Sequence, residues 1–305
     1  MKKLTSFIII VAGICVFYAC RKNDNPKLPE GIDQGLFPQL VQSDSGDVLI
    51  QDVSKFASSF SVDVYFKDGP KPKKMDIRVV YNDNYTNVKT LQADVTSFPA
   101  TINVTGPQLA QLFGKTPDQV EDGDFFTIRP DVYLNDGKIF EAFKYGVNGT
   151  DTFKLAPYGS DAMNFPDANV DIIYTKVCPL YMSSYAAKGR LTVVDTGFAG
   201  SINAAFAKYT VNAALDPADS TTLILTGWGG VAGAVVKIKA ILRTQGATVP
   251  VQVYAPTYGG LPYHNFAVQG KGAFNACDTS ISLQITNTVA EGSFGATGVQ
   301  ISAGQ

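Results

Sequence analysis

The chain contains one histidine, His264, within Tyr258-Gly259-Gly260-Leu261-Pro262-Tyr263-His264-Asn265. A serine or cysteine nucleophile activated by imidazole, and most zinc sites, would have to rest on that ring or do without one. The chain has no Gly-x-Ser-x-Gly elbow, no phosphate-cradling glycine-lysine loop and no dinucleotide glycine fingerprint. Glu291-Gly292-Ser293-Phe294-Gly295 falls one residue short of the elbow spacing. No catalytic residue, metal site or cofactor is assigned from these patterns, and the protein is read as a non-enzyme.

Oxygen ligands do occur in clusters. Glu121-Asp122-Gly123-Asp124 and Asn82-Asp83-Asn84 carry hard donors suited to calcium, but neither follows the twelve-residue calcium loop, and turn chemistry explains both. A glycosidase needs two carboxylates that come from separate parts of a chain, and no motif here singles out such a pair. The aromatic residues speak more directly of binding. Trp228, the sole tryptophan, sits among glycines in Thr226-Gly227-Trp228-Gly229-Gly230, and Tyr254, Tyr258 and Tyr263 gather in a loop after a strand. Flat aromatic faces at strand ends can hold sugar rings; the alternative is that Trp228 fills a core and the tyrosines are half-buried. Trp228, Tyr254, Tyr258 and Tyr263 are the candidate ligand-binding residues.

Four cysteines are present, two of them, Cys15 and Cys20, in the N-terminal segment considered below. The body retains Cys178 and Cys277, and in an exported protein two remaining cysteines suggest one disulfide. Their positions near the two ends of one domain suit a staple between its first and late strands.

The elements that must position these residues are strands. Val62, Val64 and Phe66, then Met75, Ile77, Val79 and Tyr81, alternate with mostly polar neighbours on either side of Lys67-Asp68-Gly69-Pro70-Lys71-Pro72, which predicts a hairpin. Thr105 to Gly114 reads as a short helix with Pro107 early and glycine at its end. Phe125–Leu134 and Lys138–Tyr145 flank the turn Asn135-Asp136-Gly137. Further on, strands are expected at Arg190–Asp195, Ala205–Ala213, Thr221–Trp228, Ala234–Arg243, Val249–Ala255, Phe266–Phe274 and Ser280–Val289. Strands so spaced, separated by Gly, Asn, Asp and Pro, predict a sandwich or barrel. The expected organisation is a leader over 1–19, a tether over 20–35, a β-sandwich over 36–155, a linker over 156–171 and a β-sandwich or barrel over 172–305. The fold class is all-β.

Composition agrees with a globular body. Of 305 residues 45% are hydrophobic and 17% charged, near globular averages. The 25 basic and 27 acidic side chains give a net charge of −2, without the basic domain or stripe of a nucleic-acid binder. Glutamate occurs only at Glu30, Glu121, Glu141 and Glu291, so long Glu/Lys/Ala helices are not expected.

The N-terminus, MKKLTSFIIIVAGICVFYACRKNDN, has a basic start, an apolar run to Ala19 and a sharply polar continuation, which is a signal-peptide profile. The run is shorter than the roughly 20 apolar residues a spanning helix needs. Ala19 before Cys20, with Phe17 three positions upstream of the cysteine, resembles the lipobox of bacterial lipoproteins, in which the cysteine is acylated. Multiple acyl chains on Cys20 would give stable anchoring, making the membrane a partner.

Cys20, the tether, Val64-Tyr65-Phe66-Lys67-Asp68-Gly69, Met75-Asp76-Ile77-Arg78-Val79-Val80-Tyr81-Asn82, and Gly270-Lys271-Gly272-Ala273-Phe274-Asn275-Ala276-Cys277-Asp278 followed by Ser280-Ile281-Ser282-Leu283 together resemble accessory envelope lipoproteins of Bacteroidota, similar in style to the SusE/SusF surface glycan-binding lipoproteins with immunoglobulin-like domains. The resemblance implies a lipid-anchored outer-membrane protein, at the cell surface or on the periplasmic face, whose partners are a polysaccharide or oligosaccharide and an outer-membrane import complex. It transfers no binding residue. A structural or protein-interaction module of the envelope is the alternative, and a glycoside-acting enzyme a third.

Overall fold

The computed structural model describes residues 36–303; the leader, the tether and the lipidation candidate Cys20 lie outside the described residues. Their order begins β1 (Pro38–Gln42), β2 (Leu49–Ile50), β3 (Ala57–Val64), β4 (Lys74–Tyr81), β5 (Lys89–Val95), β6 (Ala100–Thr105) and helix α1 (Gly106–Leu112). It continues through β7 (Phe125–Tyr133), β8 (Ile139–Phe140), β9 (Lys144–Asn148), β10 (Asp151–Leu155), α2 (Ser160–Met163) and β11 (Ile172–Lys176). One sheet is ordered β1-β3-β6, a second β2-β11-β7-β4-β5 with β8 beside β7, and β9 pairs only with β10. Alternate residues of both larger sheets, among them Leu40, Phe60, Ile77, Ile102, Ile128 and Tyr174, close one core. Helix α1 starts where sequence chemistry places it. Thr105 and Gln108 exchange side-chain and backbone hydrogen bonds, both at 3.4 Å, in a capping box that satisfies two otherwise orphaned N–H groups.

The hairpin expected around Lys67–Pro72 does not form. β3 pairs with β1 and β6, whereas β4 pairs with β5 and β7, so the loop between them crosses from one sheet to the other. Alternation reports which face of a strand is buried, and both faces here look into the same core from opposite sides. The stretch at Ile172, read as the opening of the second domain, is β11, antiparallel to β7 from Ile172↔Ile128 to Thr175↔Phe125 and parallel to β2. It completes the first sheet pair.

After α3 (Met182–Ala187) come β12 (Arg190–Val194), α4 (Phe198–Ile202), β13 (Lys208–Asp216), β14 (Asp219–Thr226), β15 (Val235–Ile241), β16 (Gly246–Ala255), β17 (Phe266–Asn275), β18 (Ser280–Val289) and β19 (Gly292–Ala303). These eight strands close into an antiparallel barrel, each paired with its sequence neighbour and β12 with β19. The fold is therefore all-β, a multi-sheet region followed by a barrel. Inward positions such as Leu191, Leu223, Val236, Ile238, Ile281 and Ile301 fill the lumen, as expected for a barrel of about eight strands. Gly272 lets β17 and β18 approach, since a Cβ there would lie 1.9 Å from the Ser282 carbonyl oxygen. α3 plugs one end with buried Met182 and Tyr185, the Tyr185 hydroxyl donating to the Asn275 carbonyl at 2.8 Å. Phe198, Trp228 and Tyr258 plug the other.

The two parts belong to one compact unit. Gln51 donates to the Leu242 carbonyl at 2.8 Å, Gln245 to the Cys178 carbonyl at 2.7 Å, and the Arg243 guanidinium to the Ser43 and Gly46 carbonyls. Cys178 and Cys277 form a disulfide. Cys178 follows β11 and Cys277 lies in the β17–β18 turn, so the cross-link joins the first region to the barrel rather than two barrel strands. No helix among the described residues is long and apolar enough to cross a membrane.

Candidate functional site

The face of the β4–β7 sheet turned away from the core carries charge. Ile77, Val79 and Ile128 point inward and are fully buried, so Arg78 and Arg129 point outward, and the register sets them directly opposite each other. Like charges so placed repel unless each is matched. Arg78 Nε lies 3.3 Å from Asp131 Oδ2, and the same guanidinium donates to Thr90 Oγ1. Arg129 reaches Asp171 Oδ2 through Nε and Nη2 at 3.3 and 2.9 Å, and its Nη1 donates to the Tyr85 hydroxyl at 2.9 Å. The Arg129 guanidinium also lies 5.4 Å from the centre of the Phe143 ring, which meets Tyr85 edge-on at 5.1 Å, a cation–π arrangement. Val80, Tyr85, Ala142 and Phe143 form a small second core over this face.

Two adjoining hollows open here and share Tyr85 as a wall. One, of about 320 Å³, is lined by Arg78, Asp131, Glu141, Phe143, Lys144 and Tyr145. The other, of about 260 Å³, is lined by Arg129, Lys154, Pro157, Tyr158, Met163 and Val170. The hairpin β9–β10 supplies Lys144, Tyr145 and Lys154. Lys154 is held by Asp83 at 2.7 Å and lies over the Tyr85 ring at 5.1 Å. Burial pushes the Asp131 carboxyl above its ordinary range, with the Ala142 N–H at 2.7 Å and Arg78 opposing the rise. Burial likewise raises the Tyr158 phenol, whose oxygen is enclosed without a hydrogen-bond partner among the described residues. The cleft thus combines aromatic walls with donors and acceptors of both signs, the chemistry that orients a polyhydroxylated ligand.

The aromatic residues singled out in the sequence lie elsewhere and are mostly enclosed. Trp228 is 2% exposed, Tyr254 7% and Tyr258 3%. Trp228 meets Tyr209 edge-on at 6.2 Å, Tyr258 stacks on Phe198 at 5.8 Å, and Tyr254 donates to Asn287 Oδ1 at 3.5 Å. These three have no free face for a sugar ring: closure of the barrel turned the strand ends inward, and its open end needs bulky plugs. Tyr263 is half-buried against Phe294 at 5.5 Å. His264 is exposed, its Nδ1 2.8 Å from Glu291 Oε1.

The two acidic clusters meet through β4–β7 pairing. Asn82 Nδ2 donates to Asp124 Oδ1 at 2.7 Å, the Glu121 N–H donates to Asp124 Oδ2 at 2.7 Å, and the Tyr81 hydroxyl donates to the same carboxylate. Their oxygens are engaged in turns. Asp122 Oδ2 approaches Cys178 Sγ at 3.1 Å, but an oxidised sulfur is no thiolate ligand.

Sequence reasoning missed the cleft because its residues come from several separate segments. A signal was present: Asp76, Arg78, Arg129 and Asp131 occupy the outward positions of strands whose other face is apolar, and charges at such places need cover or partners. The chain matches no family model, no curated protein and no solved structure.

Proposed function

We propose that this is a lipid-anchored, non-catalytic protein of the bacterial outer membrane whose cleft over the β4–β7 sheet binds glycan as an accessory to nutrient import. The observation that carries the reading is the pair of hollows sharing Tyr85, floored by Arg78 and Arg129 and edged by the exposed ring of Tyr145 and the half-buried ring of Tyr158. Aromatic faces shed water onto sugar rings while charged groups fix hydroxyls. The leader ending at Cys20 supports the anchor.

Affinity electrophoresis against a panel of soluble polysaccharides tests the binding. Tyr145 is 42% exposed, so Tyr145→Ala leaves the fold intact; retention of the bound polysaccharide is expected to weaken about tenfold, the cost of one aromatic contact. Retention of no polysaccharide, or retention unaltered in Tyr145→Ala, rejects the reading. A protein-interaction module is favoured by one feature, the β9–β10 hairpin, on which Val147 is 64% and Phe153 51% exposed. In that case cross-linking in cells joins the hairpin to an envelope protein while no polysaccharide is retained.

A further inference from the structure

Where the described chain begins, five aromatic rings assemble. Phe37 is buried beneath Tyr65, Tyr158 and Phe165, with centroids 5.8, 5.0 and 6.2 Å away. Phe165 stacks on Tyr65 at 5.7 Å and meets Phe66 edge-on at 5.7 Å. The Tyr65 hydroxyl donates to the Pro166 carbonyl at 2.7 Å, and the Tyr65 N–H donates to the Phe37 carbonyl at 2.8 Å. The cluster is therefore fixed on its inner side. Its outer side is bare: Phe66 is 56% exposed and Phe165 40%. Large apolar groups held outward on ordered backbone mark an interaction surface.

The sequence connected to this face identifies its occupant. The stretch from Cys20 to Leu36 can span at most about 55 Å, and it enters the fold at Phe37, directly under the exposed rings. We propose that Phe66 and Phe165 rest in the interfacial layer of the bilayer that holds Cys20, so that the protein lies against the membrane; this depends on the lipid anchor of the proposed function. The short connection makes the contact intramolecular in effect, so weak insertion of two side chains suffices. Charge does not drive it. Exposed Lys67, Lys71 and Lys73 are offset by exposed Asp68, Asp161 and Asp167, and Lys71 is engaged by Asp63 at 3.4 Å. The surface suits zwitterionic headgroups rather than an anionic leaflet.

The test uses the full chain bearing Phe66→Trp, in phosphatidylethanolamine/phosphatidylcholine vesicles with plain or brominated acyl chains. Bromine quenches only tryptophan at the bilayer, and Trp228, enclosed in the barrel, supplies an internal reference that wild-type protein measures alone. Emission of the variant is expected to fall by about one third in brominated vesicles and to do so equally at about 1 M salt. Adding Phe165→Ser should relieve it. Mass spectrometry of the N-terminal peptide reports acylation separately. Acylated protein with equal emission in both vesicles overturns this inference alone, and unacylated, unquenched protein overturns it together with the anchor. Quenching without acylation upholds the surface and rejects the anchor.

Discussion

Trp228 offers the sharpest test of the barrel. It is 2% exposed, sits in the turn following β14 and contacts Tyr209 at the plugged end. Burying an indole removes roughly 150–250 Å² from water, which at about 25 cal/mol per Å² corresponds to roughly 4–6 kcal/mol as an upper figure. Trp228→Ala is accordingly expected to cost about 3–5 kcal/mol, the range for deleting a large core aromatic. For a chain of this size, at roughly 2–4 °C per kcal/mol, the melting midpoint should fall by ~10 °C. Trp228→Phe, which keeps a ring in the plug, should recover part of the loss. Urea titration followed by far-UV circular dichroism measures the differences, and the wild-type protein adds a second readout because its sole tryptophan should emit as a buried indole and resist acrylamide until unfolding. A loss below about 1 kcal/mol for Trp228→Ala, or ready quenching in the native state, would mean that the ring is not a plug and that the sealed barrel end is wrong.

Two further outcomes follow from the same structure. Replacing both cysteines by serine opens a covalent loop with a sequence separation of 99, for which chain entropy sets an upper value of about 4.7 kcal/mol. Because the Gln245–Cys178 and Tyr185–Asn275 hydrogen bonds keep the same segments together, a loss of about 2–4 kcal/mol in urea titrations is expected; an unchanged midpoint would show that the cross-link constrains nothing. Burial raises the Asp195 carboxyl above its unfolded value of 3.8, against the Phe198 N–H at 3.0 Å and neighbouring amides. With the folded value the higher one, Asp195 contributes most below the unfolded value, and that contribution is lost as pH rises through the folded value. Relative to wild type, Asp195→Asn should thus gain stability as pH rises above about 4, and a wild-type-to-variant difference that stays constant from acid to neutral pH would count against it.

The strand content was legible in the residues because period-two burial needs no knowledge of a partner. The spans around Arg190, Thr221, Ala234, Val249, Phe266 and Ser280 each overlap a barrel strand, and Ser280–Val289 coincides with β18. The short helix α1 was legible for a similarly local reason, Pro107 early and Gly114 at its end, whereas the Thr105–Gln108 capping box came only with the structure. β19 escaped notice because Gly292, Gly295 and Gly298 dilute its alternation and only Val299 and Ile301 are fully buried on it. Its pairing with β12 and β18 nevertheless closes the barrel.

Sequence by itself therefore determined that this chain builds strands, where its apolar faces lie, and that an oily leader ends at a cysteine. Tertiary structure alone decided that β3 and β4 belong to different sheets, that Trp228 faces a sealed lumen, and that Arg78 and Arg129 stand side by side beneath Tyr85. The reason is physical: alternation encodes the side of a strand that avoids water, whereas pairing, closure and clefts arise from hydrogen bonds and packing between segments far apart along the chain.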